Sequence, residues 1–149
     1  MARISEKINE RLLKIQVIFA FRDFMLLWLR VWVAKIFYDS GRTKSGEGFL
    51  EINDFQGTLF EEEYGISFMD TELLAQITLY AETILPLAIL LGLGSRLGAL
   101  GLLAMTLFIQ VFVYPMHFFE HISWAVALIM IIVFGAGKIS LEAIFRKTN

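Results

Sequence analysis

The sequence contains no cysteine, and this absence removes several classes of chemistry. Disulfides, thiol catalysis, cysteine-ligated zinc or iron–sulfur sites and thiol-linked haem are all excluded. In any redox reaction of this protein, the electrons must therefore reside on a bound cofactor, a quinone or another subunit. We expect neither haem nor an iron–sulfur cluster.

A strong net charge is also lacking, because 13 Lys and Arg residues oppose 15 Asp and Glu residues. A net charge of −2 does not indicate a nucleic-acid partner. Apolar residues are abundant instead: 57% of the chain is hydrophobic, and 14 residues are Phe. Soluble domains are about 45–50% apolar. The composition therefore predicts a single domain, residues 1–149, that is embedded in a lipid bilayer.

Four apolar segments predict an all-α integral membrane protein, a four-helix transmembrane bundle. The spans are expected at about residues 23–39, 73–93, 97–114 and 119–134. The first span is the least apolar, because Arg30 and Lys35 interrupt it.

Two further helices are predicted, one before the first span and one between the first and second spans. Residues 1–20 alternate apolar and charged residues at helical spacing, which predicts an amphipathic interfacial helix on the membrane surface. A cytosolic helix docked on a partner is the alternative. Residues 40–71 form an outer loop that begins with the loop-like stretch Ser40–Gly46 and then carries a short amphipathic helix over the bundle mouth.

Local signals mark the helix ends. Asp70 is a predicted N-cap of the second span, and Gly92–Arg96 is a predicted tight turn. Ser140 is a predicted N-cap for a short helix in the tail, residues 140–149. Gly98 and Gly101 are small residues at helical spacing, which would let another helix approach closely.

Glu82 is the central candidate for a functional site. It lies inside the second apolar span, and Pro86 follows four residues later, where it frees the carbonyl group of Glu82 from helical hydrogen bonding. A carboxyl group at that depth needs a partner, and Arg30, buried in the first span, is the predicted counter-ion. The pair could bind a quinone headgroup or relay a proton, with Tyr80 nearby; alternatively it only ties two helices together.

A second polar group lies near the outer ends of spans three and four. It contains His117 and His121, which could share a metal ion if both lie on one helix face, with Glu120 or the acidic residues of the outer loop completing the shell. Three alternatives stay open: an interfacial belt of aromatic and polar residues, a polar site shared with Glu82, and a metal site. Its members are Gln110, Tyr114, His117, Glu120, His121 and Trp124.

The ordered set of motifs resembles the DoxX family of small four-helix membrane proteins. The matching residues are the Arg30 segment, Ser40-Gly41 with Lys44, Leu59-Phe60 with Glu63-Tyr64, Glu82 with Leu85-Pro86, Gly92 to Arg96, Met105 to Pro115, His121 to Trp124, and residues 135–141. The resemblance implies a bacterial inner-membrane protein. It also implies association with a thiosulfate:quinone oxidoreductase or with oxidative-stress and metal-stress systems, but it supplies no agreed catalytic residues.

The distribution of basic residues predicts the topology. Lys and Arg residues cluster before the first span, in the turn at Arg96 and after the fourth span, which places both termini in the cytoplasm. We expect a redox-associated, quinone-linked membrane subunit with Arg30, Glu82 and His121 lining its site. The alternative is a non-enzymatic membrane anchor or a small-solute or metal-handling transport module. The expected partners are the bilayer and another protein subunit or a second copy of the chain.

Overall fold

A computed structural model of the chain describes residues 2–62 and 70–148, and it describes side chains for residues 9–62, 70–146 and 148. Glu63 and Tyr64, which contribute to the family resemblance, lie outside the described residues. The elements, in chain order, are helices α1 (Ala2–Lys44), α2 (Phe55–Glu62), α3 (Thr71–Leu91), α4 (Ser95–Phe108), α5 (Phe118–Phe134) and α6 (Leu141–Thr148). A π-helical turn, Ile109–Val113, and a 3₁₀ turn, Pro115–His117, connect α4 to α5.

Helices α1, α3, α4 and α5 pack into one bundle, in which α1 lies mainly against α3 and α4 mainly against α5. The shared core contains Val33 and Phe37 from α1, Ile89 from α3, and Leu102 and Leu128 from α4 and α5. The all-α prediction is thus confirmed, because the described residues contain only helices, turns and one isolated antiparallel bridge between Ser45 and Ile52.

In the described part of the chain, three segments are long and apolar enough to cross a membrane. They are Thr71–Leu91, Ser95–Val113 and Pro115–Phe134. Helix α1 has 43 residues, which is ample length, but its charged residues lower its hydropathy. The fourth crossing stays a prediction.

Residues 2–20 are helical, as predicted, and their position on the membrane surface stays a prediction. One prediction about this region is wrong: the backbone of residues 2–44 forms one continuous helix, so Ser40–Lys44 is helical rather than loop, and the N-terminal helix runs into the first span without a break. The physical reason is that residues 2–40 contain neither proline nor glycine, so nothing interrupts the helical hydrogen-bond pattern.

The predicted helix ends are confirmed. The Asp70 side chain accepts a hydrogen bond from the Leu73 N–H at 3.0 Å, and Gly92 ends α3 in the left-handed conformation at φ 74°. Ser140 accepts from the Ala143 N–H at 3.2 Å at the start of α6. These caps place the α3–α4 turn and the start of α6 at one end of the bundle, called here the Gly92 end. The opposite end, with Lys44 and α2, is called the Pro115 end.

The small residues of α4 bring it close to α3, as predicted. A Cβ atom on Gly98 would lie 3.1 Å from the Ile89 side chain, and one on Gly101 would lie 2.8 Å from the Leu85 side chain. The short helix predicted in the loop is also present as α2. It packs on α3 with Phe60 buried, and so covers the Pro115 end of the bundle.

Candidate functional site

A cavity of about 430 Å³ lies at the Pro115 end, between α1, α2, α3 and the α4–α5 pair. Most of its wall is apolar, and its polar and ionisable groups come from three different helices. Three of the binding residues predicted from the sequence, Glu82, His121 and Trp124, line it. The polar lining also includes Ser40, Thr43, Lys44, Thr78 and Tyr114.

Glu82 is 2% exposed, and both of its carboxylate oxygens have partners on α1. The Lys44 ammonium group donates to Oε2 at 2.7 Å, and the Ser40 hydroxyl donates to Oε1 at 3.3 Å. Lys44 Nζ also donates to Ser40 Oγ at 3.0 Å. Lys44 and Ser40 lie one helical turn apart, so the last turn of α1 presents both groups to Glu82 on the same face.

The ion pair predicted between Arg30 and Glu82 is wrong. Arg30 is 1% exposed, and its guanidinium group donates only to backbone carbonyl oxygens. Nε donates to Ile89 O at 2.8 Å, Nη2 to Leu90 O, and Nη1 to Ala136 O at 2.8 Å and Ile139 O at 2.7 Å. Arg30 therefore fixes the Gly92 end of the bundle and does not line the cavity.

The physical reason is the helix terminus. The last four carbonyl groups of a helix lack partners within that helix and carry partial negative charge. At the end of α3, these carbonyl groups accept hydrogen bonds from the buried Arg30 guanidinium group, so Arg30 needs no carboxylate partner. Ile89 follows Glu82 by seven residues on α3, which corresponds to about 10 Å along the helix axis. The two charged groups thus lie at different depths.

Sequence reasoning missed Lys44 because it assigned Ser40–Lys44 to a loop. The available signal was the spacing of Ser40 and Lys44, which puts both on one helix face if α1 continues. Gly41 lies between them, and a Cβ atom on it would lie 3.1 Å from both the Cβ and the carbonyl oxygen of Glu82. Glycine therefore permits the close approach of α1 to α3 at the ion pair.

Arg42 holds the loop that follows α1 against α3. Its guanidinium group donates to the hydroxyl of buried Thr83 and, at 2.7 Å, to Phe49 O, and it stacks on the rings of Phe49 and Tyr38. Thr83 is the residue after Glu82, so Arg42 and Lys44 bind neighbouring positions of α3. The contact between Arg42 and Thr83 thereby helps to hold Lys44 against Glu82.

His121 forms the opposite polar wall of the cavity. Its Nδ1 lies 2.6 Å from Gln110 Oε1, while Gln110 Nε2 donates to Pro115 O at 2.8 Å. Because the Gln110 amide nitrogen is the donor to Pro115, its oxygen is the acceptor, and His121 Nδ1 carries the proton. In the neutral form of His121, Nε2 is then the acceptor nitrogen of the ring. Gln110 is thus a positioning residue behind the cavity wall.

Aromatic rings continue from His121 towards α1. The His121 and Trp124 ring centroids are 5.0 Å apart, and those of Trp124 and Phe37 are 5.6 Å apart, both in edge-to-face geometry. Tyr80, by contrast, is 43% exposed on α3 and does not line the cavity. The sequence predicted six binding residues: Arg30, Tyr80, Glu82, Gln110, His121 and Trp124. The cavity unites Glu82, His121 and Trp124, with Gln110 behind them, whereas Arg30 and Tyr80 do not line it.

A metal site at His117 and His121 is one of the alternatives that the sequence leaves open, and few ligands surround it in the structure. The two rings are 6.3 Å apart, and exposed His117 contacts Glu120 through Nδ1 at 2.9 Å. Among the described side chains, those of residues 9–62, 70–146 and 148, no three from His, Asp or Glu are placed to hold one metal ion. Metal binding by the two histidines stays a prediction.

Taken together, the apolar spanning helices and the buried polar cavity define a multi-pass helical membrane protein. The model of the DoxX family matches residues 25–115, more than half of the chain, and the chain belongs to that family. The matched region contains Arg30, Lys44, Glu82 and Gln110 and ends before His121. Searches of curated proteins and of solved structures find no match to the chain.

Proposed function

We propose that this DoxX-family protein is a redox-associated membrane subunit that binds a quinone headgroup in the cavity between Glu82 and His121. The observation that carries the proposal is the composition of this cavity. A space of about 430 Å³ has a mainly apolar wall, an ion pair on one side and an imidazole on the other. Ligand sites generally combine an apolar cavity with a few convergent polar groups.

The residues of the cavity match the chemistry of a quinone. A flat ring would pack against Trp124 and Phe37. Its carbonyl oxygens need hydrogen-bond donors, and the Lys44 ammonium group would supply one by exchanging its bond to Ser40 Oγ for a bond to the quinone. Reduction of a quinone to a quinol takes up two electrons and two protons. The Lys44–Glu82 pair and His121 are the groups that would exchange those protons. The electrons would come from a redox centre of a partner subunit, because this chain has no cysteine.

One observation favours a second candidate function. Both carboxylate oxygens of Glu82 are already bound by Lys44 and Ser40, as in a purely structural ion pair. In that case the protein would be a membrane anchor or a transport module for a small solute or metal in a stress-response system. The cavity would then hold lipid or solute rather than quinone.

Tryptophan fluorescence separates the two candidates. The chain has three Trp residues, and Trp28 and Trp32 lie exposed on α1 whereas Trp124 lines the cavity. In a Trp28→Phe/Trp32→Phe variant, decylubiquinone is expected to quench Trp124 saturably. A matched variant that retains only Trp28 should show non-saturable quenching from quinone dissolved in the detergent. Equal, non-saturable quenching in both variants would contradict quinone binding.

We also propose that the protein resides in the bacterial inner membrane with both termini in the cytoplasm. The support is the placement of basic residues: Arg22, Arg96, Lys138 and Arg146 all lie around one cavity at the Gly92 end. Cytoplasmic loops carry the excess of Lys and Arg. The partner that supplies electrons would be another protein subunit or would act through a second copy of this chain.

A further inference from the structure

A second cavity, of about 330 Å³, lies at the Gly92 end and shares no lining residue with the first. Its wall includes the α3–α4 turn and the glycine-rich segment between α5 and α6, where Gly135 and Gly137 have φ values of 76° and 74°. Four basic side chains line it, and Glu142 is the one acid among its described lining residues. The basic residues are Arg22, Arg96, Lys138 and Arg146.

These cations are poorly neutralised by the protein. In the described part of the chain, no carboxylate lies within ion-pair distance of Arg96, Lys138 or Arg146. Arg22 pairs with Asp23 at 3.0 Å, but its Nε is buried without a hydrogen-bond partner in the same described residues. A concave site with excess positive charge and an unused buried donor favours an anionic ligand.

The surroundings of this cavity place it at the edge of the hydrocarbon layer. It lies where the apolar segment Ser95–Val113 begins and the apolar segment Pro115–Phe134 ends. Leu97, 77% exposed, and Phe134 form its apolar rim. From that rim the exposed side chains of Leu100 and Met130 continue along the outer faces of α4 and α5. An acyl chain could follow this apolar surface.

We propose that this basic cavity binds the phosphate group of an anionic phospholipid headgroup, such as that of phosphatidylglycerol. The phosphate is held by Arg22, Arg96, Lys138 and Arg146, and the acyl chains lie against Leu97 and Phe134. Basic pockets between membrane helices bind anionic headgroups by the same principle. The proposal does not depend on quinone binding, because the two cavities are separate.

Native mass spectrometry of the purified full-length protein tests the proposal, with phosphatidylglycerol, phosphatidylcholine or inorganic phosphate as the added probe. We expect preferential binding of phosphatidylglycerol. The exposed residues Lys138 and Arg146 are suited to substitution, and each of Lys138→Gln and Arg146→Gln should weaken that binding about fivefold. The matched control is Lys35→Gln, which removes an exposed charge from α1 that does not line the cavity and should leave binding unchanged.

Three results would overturn the proposal. The first is equal binding of phosphatidylglycerol and phosphatidylcholine, and the second is an equal loss of binding in Lys35→Gln, which would indicate general surface attraction. The third is binding of inorganic phosphate as tight as that of the lipid, which would assign the cavity to a free anion. Thermal unfolding without added lipid verifies that the variants are folded, and either Lys138→Gln or Arg146→Gln alone suffices if the other variant does not fold.

Discussion

Lys44 and Glu82 form an ion pair with side chains only 12% and 2% exposed. Removing one member of such a pair leaves an uncompensated buried charge, which typically costs about 3–5 kcal/mol, whereas replacing both members by neutral groups is often far less harmful. Arg30 is equally buried, but it depends on backbone carbonyl groups. At the scale of residues, the protein therefore contains two independent buried cations with different partners.

This independence predicts the outcome of two double-mutant cycles on the free energy of unfolding. Lys44→Met and Glu82→Gln should be strongly coupled, by about 0.5–3 kcal/mol, because the residues are in contact. Arg30→Met and Glu82→Gln should be additive within about 0.5 kcal/mol, since distant residues without shared partners add. Denaturant unfolding of the unsubstituted protein, the three single variants and the two double variants measures both values. A strong coupling of Arg30 to Glu82 would contradict the structure.

The sequence identified the buried charges correctly but not their partners. Glu82 is recognisable because a carboxyl group interrupts an apolar run, and Arg30 for the same reason. The partner of each charge is determined by its depth in the bundle and by where the neighbouring helices end. Local residue spacing encodes neither the depth nor these helix ends. Arg30 binds backbone carbonyl groups, which every residue type carries, so no sequence pattern marks its partners.

At the scale of elements, the contact between α1 and α3 positions the candidate site. It depends on Gly41, where a Cβ atom would lie 3.1 Å from backbone and side-chain atoms of Glu82. Backbone atoms cannot yield as a flexible side chain can. The local caps at Asp70, Gly92 and Ser140 were predictable because each relies on the chemistry of a single residue. The continuity of α1 through Gly41 was not, because glycine in isolation indicates a loop.

Gly41→Ala should destabilise the protein by about 1–3 kcal/mol, the usual effect of overpacking. The sign of this stability change is informative, because alanine is intrinsically favoured over glycine in a helix by about 1 kcal/mol. Without the close contact, the substitution would therefore stabilise the protein. The matched control is Gly57→Ala in α2, where the nearest atom to the added Cβ is 3.8 Å away, and which should be neutral or stabilising. A rise of the thermal unfolding midpoint in Gly41→Ala would contradict the close α1–α3 contact.

At the scale of the whole molecule, the two ends of the bundle differ in chemistry. The Pro115 end holds the cavity with Glu82 and His121, and the Gly92 end holds Arg30 and the basic cavity. If the positive-inside rule applies, the Gly92 end faces the cytoplasm and the candidate quinone site lies towards the outer face. The membrane location was predictable from the apolar content of the chain, and the all-α bundle from the length and spacing of its apolar segments.

The absence of cysteine makes the orientation simple to measure. Lys138→Cys at the Gly92 end and Glu51→Cys at the Pro115 end each introduce one thiol at an exposed position. In intact spheroplasts, a membrane-impermeant maleimide should label Glu51→Cys, and Lys138→Cys only after the membrane is permeabilised. The reverse pattern would contradict the proposed orientation and leave the fold unaffected.

The central claim is that the Lys44–Glu82 pair takes part in quinone binding and does not serve only as a structural contact. The most direct test is the quinone affinity of the Lys44→Met/Glu82→Gln variant, which removes both charges and should remain folded in thermal unfolding. Saturable quenching of Trp124 by decylubiquinone measures that affinity in an otherwise Trp-free background. We predict that the folded double variant loses saturable quenching, and quenching with unchanged affinity would contradict the claim.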